Sequence, residues 1–263
     1  MGVFMAIRTS QFAKDMPFRD IDDDSKWEII ENLYDKFLSN NKTSIYPNRI
    51  PKIIHQIWLG DNPIPERYVE CMKTIKEVNS DYWHKLWTDE DVKNFGLVNQ
   101  KIYDECNNYG VRSDLFRYEI LQRYGGIYMD TDFIAHKPFD DLLGFDFFAG
   151  TGCVNKVSLQ NSIIASIPNH PIMNLAIKKL TPKIPHPTFS NMNTEVLGFT
   201  GPYFLTECFL EATEETHNAV ILPEKYFYSF PNIHKDNYEP GMIDLYKTED
   251  SYCSHLWGCS WMK

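Results

Sequence analysis

Asp130 and Asp132 are the side chains whose type and spacing most clearly indicate chemistry. Two carboxylates one residue apart repel each other unless a cation or hydrogen-bond donors offset their charges, so the pair suggests a site for a hard divalent metal. The apolar residues around the pair favour a strand over residues 127–133. Alternation along that strand places Tyr128, Asp130 and Asp132 on one face. For an isolated pair, a solvated strand end is the alternative interpretation.

A second charged pair lies upstream, on a segment that favours a helix. Ser113 can cap a helix running to Tyr124, and the glycines at 125–126 can end it. Asp114 and Arg117, one turn apart on this helix, are brought near the carboxylate pair by the tight turn that follows. Arginine can orient a carboxylate or phosphate through its planar fork, and aspartate can accept hydrogen bonds from sugar hydroxyls. A charged pair that only braces the helix is the structural alternative.

Together these residues resemble a known family. The pattern S-D-x-x-R-x-x-x-L followed by G-G-x-Y-x-D-x-D is met by Ser113, Asp114, Arg117, Leu121, Gly125, Gly126, Tyr128, Asp130 and Asp132. It resembles glycosyltransferase family 32, which has a D-x-D sugar-binding region and includes fungal initiating mannosyltransferases and bacterial capsule enzymes. The glucosylating domain of large clostridial toxins is also similar. The resemblance extends over residues 48–263 and includes residues 50–60, Asn161, residues 200–202 and the pair Ser260-Trp261.

The resemblance implies a GT-A-type, Rossmann-like nucleotide-sugar fold in a single domain. It also implies a Mn²⁺ or Mg²⁺ ion and a UDP- or GDP-sugar as donor. Asp132 and His255 would bind the metal, and Asp130 would bind the metal, its water shell or the ribose. Asp114 and Arg117 would hold the donor sugar.

Further donor contacts follow from the same resemblance. Trp58 would stack on the nucleobase, Asn161 would lie near the anomeric carbon, and Tyr128 would line the donor site. Ser260 and Trp261 would contact the diphosphate. The implied reaction moves a hexose or N-acetylhexosamine, with retention of configuration, to a hydroxyl of a glycan or glycolipid. Transfer to a protein, as in the toxins, and a metal-dependent phosphohydrolase are the alternatives.

The pattern along the chain predicts an α/β fold with a mostly parallel sheet. Residues 52–60 favour the first core strand, Pro65 can open a helix, and residues 83–87 favour a short strand. Thr88 and Asp91 form a capping-box pattern. Further strands are predicted at 146–149, 220–222 and 226–230, and further helices at 175–180 and 195–212. A helical N-terminal extension, residues 1–47, is predicted to precede the catalytic domain, residues 48–263.

Composition limits the classes of partner. Of the 263 residues, 36 are acidic and 26 basic, and the formal net charge of −10 opposes binding to nucleic acid. A diphosphate substrate must then be neutralised locally, which suits a divalent cation. Six cysteines without a C-x-x-C pair favour reduced thiols. No signal-peptide pattern or membrane-spanning apolar run is apparent, so we expect a cytoplasmic protein without a transmembrane segment, with peripheral membrane contact left open.

Overall fold

The computed structural model describes residues 10–16, 26–152, 158–181, 192–212 and 218–258. Its strands are β1 (Ile53–Ile57), β2 (Trp83–Trp87), β3 (Gly126–Met129), β4 (Phe133–Ala135), β5 (Phe147–Thr151), β6 (Leu159–Ser166), β7 (Ala219–Leu222) and β8 (Cys253–His255). Its α-helices are α1 (Gln11–Lys14), α2 (Lys26–Ser39), α3 (Glu66–Val78), α4 (Asp89–Phe95), α5 (Gln100–Glu105), α6 (Tyr109–Tyr124), α7 (Pro171–Leu180), α8 (Met192–Phe199), α9 (Pro202–Glu211), α10 (Glu224–Phe227) and α11 (Ile243–Tyr246). Short 3₁₀ helices lie at Asp140–Leu142 and Asn232–Asn237.

The central sheet of the described chain has the strand order β2-β1-β3-β6-β5-β7. β1 pairs in parallel with β2 and β3, and β5 pairs in parallel with β7. β6 runs antiparallel to both of its neighbours, β3 and β5. The prediction of a mostly parallel α/β sheet is therefore confirmed. A separate two-stranded sheet joins β4 to β8.

The first two strands form as their sequences indicate. β1 is buried along most of its length, as expected for an apolar strand of a parallel sheet covered on both faces. β2 spans the predicted residues, and the N–H of Thr88 donates to Asp91 Oδ2 at 2.8 Å in the predicted capping box of α4. Pro65 immediately precedes α3, also as predicted.

A turn of two glycines connects helix α6 to β3 and so fixes the approach to the D-x-D pair. Gly125 and Gly126 have φ values of 62° and 95°, a region that side chains other than glycine rarely adopt. A Cβ at Gly126 would lie 2.7 Å from the carbonyl oxygen of Ile53 on β1. Glycine is therefore needed for both the turn and the close packing of β3 on β1.

Two local predictions are wrong, and one strand was missed. Helix α6 begins at Tyr109, because Asn108 caps it by accepting the N–H of Val111 at 3.1 Å, so Ser113 is an interior residue and not the cap. The predicted strand at 226–230 is instead helix α10 after Pro223, and only Tyr228 forms an isolated bridge. Strand β6, which carries the central antiparallel pairing, was not predicted.

Helix α2 of the predicted N-terminal extension packs into the main core. Ile30, Tyr34 and Phe37 are fully buried in the same hydrophobic cluster as the central strands. The Tyr34 hydroxyl lies 3.1 Å from that of Tyr226 in helix α10. This helix therefore contributes apolar surface to the core around the central sheet, while the boundary at residue 47 stays a prediction.

Candidate active site

The D-x-D pair lies in the turn between β3 and β4. The predicted strand ends at Met129, so the part of that prediction covering Asp130 and Asp132 is wrong. The backbone hydrogen bonds of this turn go to two different segments of the chain. The N–H of Asp130 donates to the carbonyl of Ser162 on β6 at 2.9 Å, whereas the carbonyl of Asp132 accepts from the N–H of Leu256 at 3.0 Å. The two carboxylates still converge, as predicted.

Asp130, Asp132 and His255, here called the carboxylate–histidine cluster, each place one potential ligand atom within 4.8 Å of the others. The pairing of β4 with β8 sets Phe133 opposite His255, and their rings stack with centroids 4.4 Å apart. His255 Nε2 lies 3.1 Å from Asp132 Oδ1. His255 Nδ1 is buried without a hydrogen-bond partner among the described residues. The cluster is thus formed by two segments far apart in sequence.

The two carboxylates of the cluster have opposite pKa shifts. Burial raises the pKa of Asp130, and the negative charge of Asp132 raises it further. Burial also acts to raise the pKa of Asp132, but His255 and the N–H of Gly258, which donates to Asp132 Oδ2 at 2.6 Å, outweigh it. The pKa of Asp132 is therefore below its ordinary value. Asp130 is the carboxylate whose charge the protein compensates less.

The cluster fits a divalent cation by its donor set. Carboxylate oxygens suit Mg²⁺ and Mn²⁺, and one imidazole nitrogen among them is compatible with Mn²⁺. Adjacent ligands of a six-coordinate ion with bonds of about 2.1 Å lie roughly 3 Å apart. The distance of 3.1 Å between His255 Nε2 and Asp132 Oδ1 is close to that spacing. Asp130, with 31% of its side chain exposed, gives the cluster access to solvent.

Asp114, Arg117, Asn161 and Thr200 form a second set, here called the buried network, in which no residue is more than 6% exposed. Asp114 Oδ1 accepts from Asn161 Nδ2 and Asp114 Oδ2 accepts from Thr200 Oγ1, both at 2.8 Å. Arg117 Nη2 lies 2.9 Å from Asp114 Oδ1, and Arg117 Nη1 donates to the backbone oxygen of Asn161. Asp114 and Arg117, predicted to lie together, therefore contact each other and Asn161.

The guanidinium of Arg117 is largely committed within the protein. Its Nε donates to the carbonyl of Ser113 and its Nη2 to the Ser113 hydroxyl, at 3.4 and 3.2 Å. It also lies over the Tyr128 ring, 4.3 Å from the centroid, and Nη2 is 3.5 Å from Asp130 Oδ1. Arg117 thus links the buried network to the carboxylate–histidine cluster.

Burial raises the pKa of Asp114 to about 6, although Arg117, Thr200 and Asn161 all act to lower it. Without these partners, a carboxylate this deeply buried would be neutral at physiological pH. The network therefore keeps Asp114 mostly ionised near pH 7.

Comparison with known proteins identifies the class of enzyme. Residues 65–149 match the family model of the glycosyltransferase sugar-binding region containing DXD motif. Over 81% of its length the chain is 29% identical to uncharacterized glycosyltransferase L373 of Acanthamoeba polyphaga mimivirus, and it covers 84% of that protein. Over 81% of its length it is 31% identical to inositol phosphoceramide mannosyltransferase 1 of Schizosaccharomyces pombe. The chain is a glycosyltransferase, and part of it matches the DXD sugar-binding region.

A solved structure shares the fold of the glycosyltransferase. It is similar to the solved structure of PaToxG glycosyltransferase with a TM-score of 0.52 at 21% identity, over 71% of this chain and 79% of that one. The predicted GT-A fold and the predicted resemblance to family 32 are confirmed. The glycosyltransferase spans 62% of the length of the Schizosaccharomyces pombe relative. In the described part of the chain, no helix is both long and apolar enough to cross a membrane.

The other residues predicted to contact the donor differ in burial and in their contacts in the glycosyltransferase. Trp58 follows β1 and is half-buried, with its indole N–H donating to the carbonyl of Asn62 at 2.8 Å. Tyr128 is buried, and its hydroxyl donates to Asp130 Oδ1 at 2.6 Å. Ser260 and Trp261 lie outside the described residues. The predicted role of Trp58 at the nucleobase stays a prediction, and Tyr128 contacts Asp130.

Sequence reasoning missed Thr200, Tyr118 and Gly258 as contacts of these side chains. The Tyr118 hydroxyl accepts from Asn161 Nδ2 at 3.4 Å and donates to the carbonyl of Thr200 at 2.6 Å. Helical spacing offered a signal for Tyr118, which lies one turn from Asp114. The resemblance included residues 200–202 but implied no partner for Thr200, and Gly258 offered no signal, because both contacts cross between distant segments.

Proposed function

We propose that this glycosyltransferase uses a divalent cation, held by Asp130, Asp132 and His255, to transfer a hexose or N-acetylhexosamine from a UDP- or GDP-sugar to a hydroxyl of a glycan or glycolipid. The observation that carries the proposal is the convergence of these three side chains within 4.8 Å. The net charge of −10 adds support, because an acidic protein must neutralise a diphosphate locally. Mn²⁺ is the first ion to test, and Mg²⁺ is the second.

Charge builds on the leaving diphosphate as its bond to the anomeric carbon breaks. A bound cation supplies Lewis-acid stabilisation of that charge. The protein contributes the orientation of the ligands: His255 and Gly258 hold the two oxygens of Asp132, and Tyr128 holds one oxygen of Asp130. We propose retention of the anomeric configuration without an obligatory enzyme nucleophile.

Asp114 can contact the donor sugar through unused acceptor capacity. An ionised carboxylate has about four acceptor positions. Asn161, Thr200 and Arg117 occupy three of them. We propose that a sugar hydroxyl donates to the fourth, while Arg117 and Asn161 hold the carboxylate in place. Because its pKa is about 6, Asp114 is mostly ionised at pH 7 and loses acceptor capacity at lower pH.

The name of the fungal relative guides the choice of substrates. That relative is named as an inositol phosphoceramide mannosyltransferase. A nucleotide-activated mannose and an inositol-bearing sphingolipid are therefore the first donor and acceptor to test. The half-buried ring of Trp58 supports a stacking contact with the base of the donor. The cytoplasmic location stays a prediction from the sequence.

The experiment measures release of nucleoside diphosphate and transfer of sugar by the purified protein across a panel of nucleotide sugars. We expect turnover with Mn²⁺ and none in chelator, and a loss of at least about 100-fold in Asp132→Asn. Asp35→Asn, an exposed position on α2, is the matched control and should keep full activity. Equal turnover with and without metal would contradict the proposal.

The products separate the alternatives. A sugar-bearing lipid or glycan supports the proposed acceptor class. An increase of one sugar mass on an intact protein would indicate a toxin-like acceptor. Inorganic phosphate released without sugar transfer would indicate a phosphohydrolase.

A further inference from the structure

The metal-ligand candidate Asp132 is enclosed by one short segment, residues 255–258, here called the Asp132 clasp. His255 Nε2 lies 3.1 Å from Asp132 Oδ1, and the N–H of Gly258 donates to Asp132 Oδ2 at 2.6 Å. The N–H of Leu256 donates to the backbone oxygen of Asp132 at 3.0 Å. All three acceptor atoms of Asp132 thus have a partner in the clasp.

The clasp contains a residue in an unfavourable backbone conformation. Trp257 has a φ of 56°, which a bulky side chain rarely adopts and which strains the backbone there. Its indole N–H donates to the carbonyl of Phe230 at 2.7 Å, and its ring lies 4.6 Å from that of His255. These contacts hold the turn that brings the N–H of Gly258 back to Asp132.

Position 258 has no room for a side chain. A Cβ there would lie 1.9 Å from the Tyr68 hydroxyl oxygen, 2.7 Å from Tyr68 Cζ and 2.9 Å from Asp132 Oδ2. Tyr68 cannot easily move away, because it is only 4% exposed and its ring packs edge-on against Trp58, 6.1 Å between centroids. A side chain at Gly258 must therefore displace either Tyr68 or the carboxylate itself.

We infer that Gly258 and Tyr68 are positioning residues for the metal site. Tyr68 forms the wall that fixes the backbone of Gly258, and the N–H of Gly258 holds Asp132 Oδ2, so that Oδ1 stays beside His255 Nε2. The inference rests on the proposed function, because it gives these residues the task of orienting a metal ligand. It adds two residues, on α3 and in the clasp, that do not themselves offer a ligand to the cation.

The first test compares Gly258→Ala with Gly198→Ala. Gly198 is an exposed glycine on α8 with open space around its Cβ position and an ordinary φ, so it controls for the added methyl group. Mn²⁺ affinity is measured from the electron paramagnetic resonance signal of the free ion, and stability is measured by urea unfolding in chelator. Gly258→Ala should weaken Mn²⁺ binding at least about 10-fold with a near-native unfolding midpoint, and Gly198→Ala should bind as wild type.

The second test repeats Gly258→Ala in a Tyr68→Leu background, where the shorter side chain leaves room for the methyl group. There the same substitution should weaken Mn²⁺ binding less than about threefold, because the two effects are coupled through their contact. Unchanged affinity in Gly258→Ala, an equal loss in both backgrounds, or a loss explained by global unfolding would each overturn the inference. Wild-type protein that binds no Mn²⁺ would instead overturn the proposed function and the inference with it.

Discussion

The buried network and the carboxylate–histidine cluster are adjacent groups of charged and polar side chains that use their hydrogen bonds differently. In the buried network, the atoms of Asp114 and most donors of Arg117 are paired within the protein. In the cluster, two carboxylates face each other, and His255 Nδ1 has no partner in the described part of the chain. The polar atoms of the buried network thus nearly all have partners within the protein, whereas the cluster keeps one buried nitrogen without a partner among the described residues.

This difference supports the proposal that the buried network stabilises the fold and that the cluster binds a cation. A buried charge that is fully paired stabilises the fold only while its partner remains, because the loss of one partner leaves an uncompensated charge. Two carboxylates held close together repel each other and lower the stability of the fold unless their charges are compensated. A bound cation removes this repulsion and raises the stability. Substitutions in the two groups should therefore change stability in opposite directions, which the next predictions test.

The largest effect is expected from Arg117→Met, which keeps the length of the side chain but removes its charge. Asp114 would then be buried without its ionic partner, and the free energy of unfolding should fall by about 3–5 kcal/mol in urea titrations with chelator. The double variant with Asp114→Asn should recover part of that loss. A loss below about 1 kcal/mol would show that the buried network does not support the fold.

Asp130→Asn should have the opposite effect on stability. Mn²⁺ affinity, measured by titration calorimetry, should fall at least about 100-fold, equivalent to about 2.8 kcal/mol. Unfolding in chelator should become more costly by about 1 kcal/mol, because the repulsion between Asp130 and Asp132 is removed. A destabilised variant in chelator would contradict the distinction between the two groups.

A smaller effect on stability is expected from His55, a buried histidine with hydrogen bonds at both ring nitrogens. His55 Nε2 must donate to the carbonyl of Gly125 at 2.9 Å, because a carbonyl only accepts, and His55 Nδ1 accepts from Trp87 Nε1 at 3.1 Å. Both nitrogens are thus satisfied in the neutral ring, whereas His255 Nδ1 has no partner among the described residues. Burial lowers the pKa of His55 from 6.5 to about 4.

The sign of the resulting pH dependence follows from this shift. The unfolded chain binds a proton at His55 as the pH falls below 6.5, whereas the folded chain does not until about pH 4. His55 alone should therefore lower the free energy of unfolding by about 2 kcal/mol between pH 7 and pH 5. His55→Gln, which keeps a donor and an acceptor, should flatten this dependence in urea titrations at the two pH values. An identical slope in both proteins would exclude His55 as its source.

Much of the fold was predictable because its signals are local. The apolar run of β1, the strand β2 and the capping box of Thr88 and Asp91 depend on neighbouring residues, and each forms as predicted. The errors lie where distant contacts override local preference. The D-x-D pair leaves the predicted strand because the carbonyl of Asp132 accepts from the N–H of Leu256, directly after β8, and β6 could be recognised only from its neighbours β3 and β5.

The local sequence is enough to set the spacing of Asp114 and Arg117 on one helix and of Asp130 and Asp132 beyond the glycine turn. These distances follow from the helical repeat and the short connection. The pairing of Thr200 with Asp114 and of Gly258 with Asp132 depends on the folded arrangement, because these contacts span 86 and 126 positions. Strand register and packing fix such contacts, because the spacing of residues along a chain does not specify which distant segment will complete a hydrogen bond.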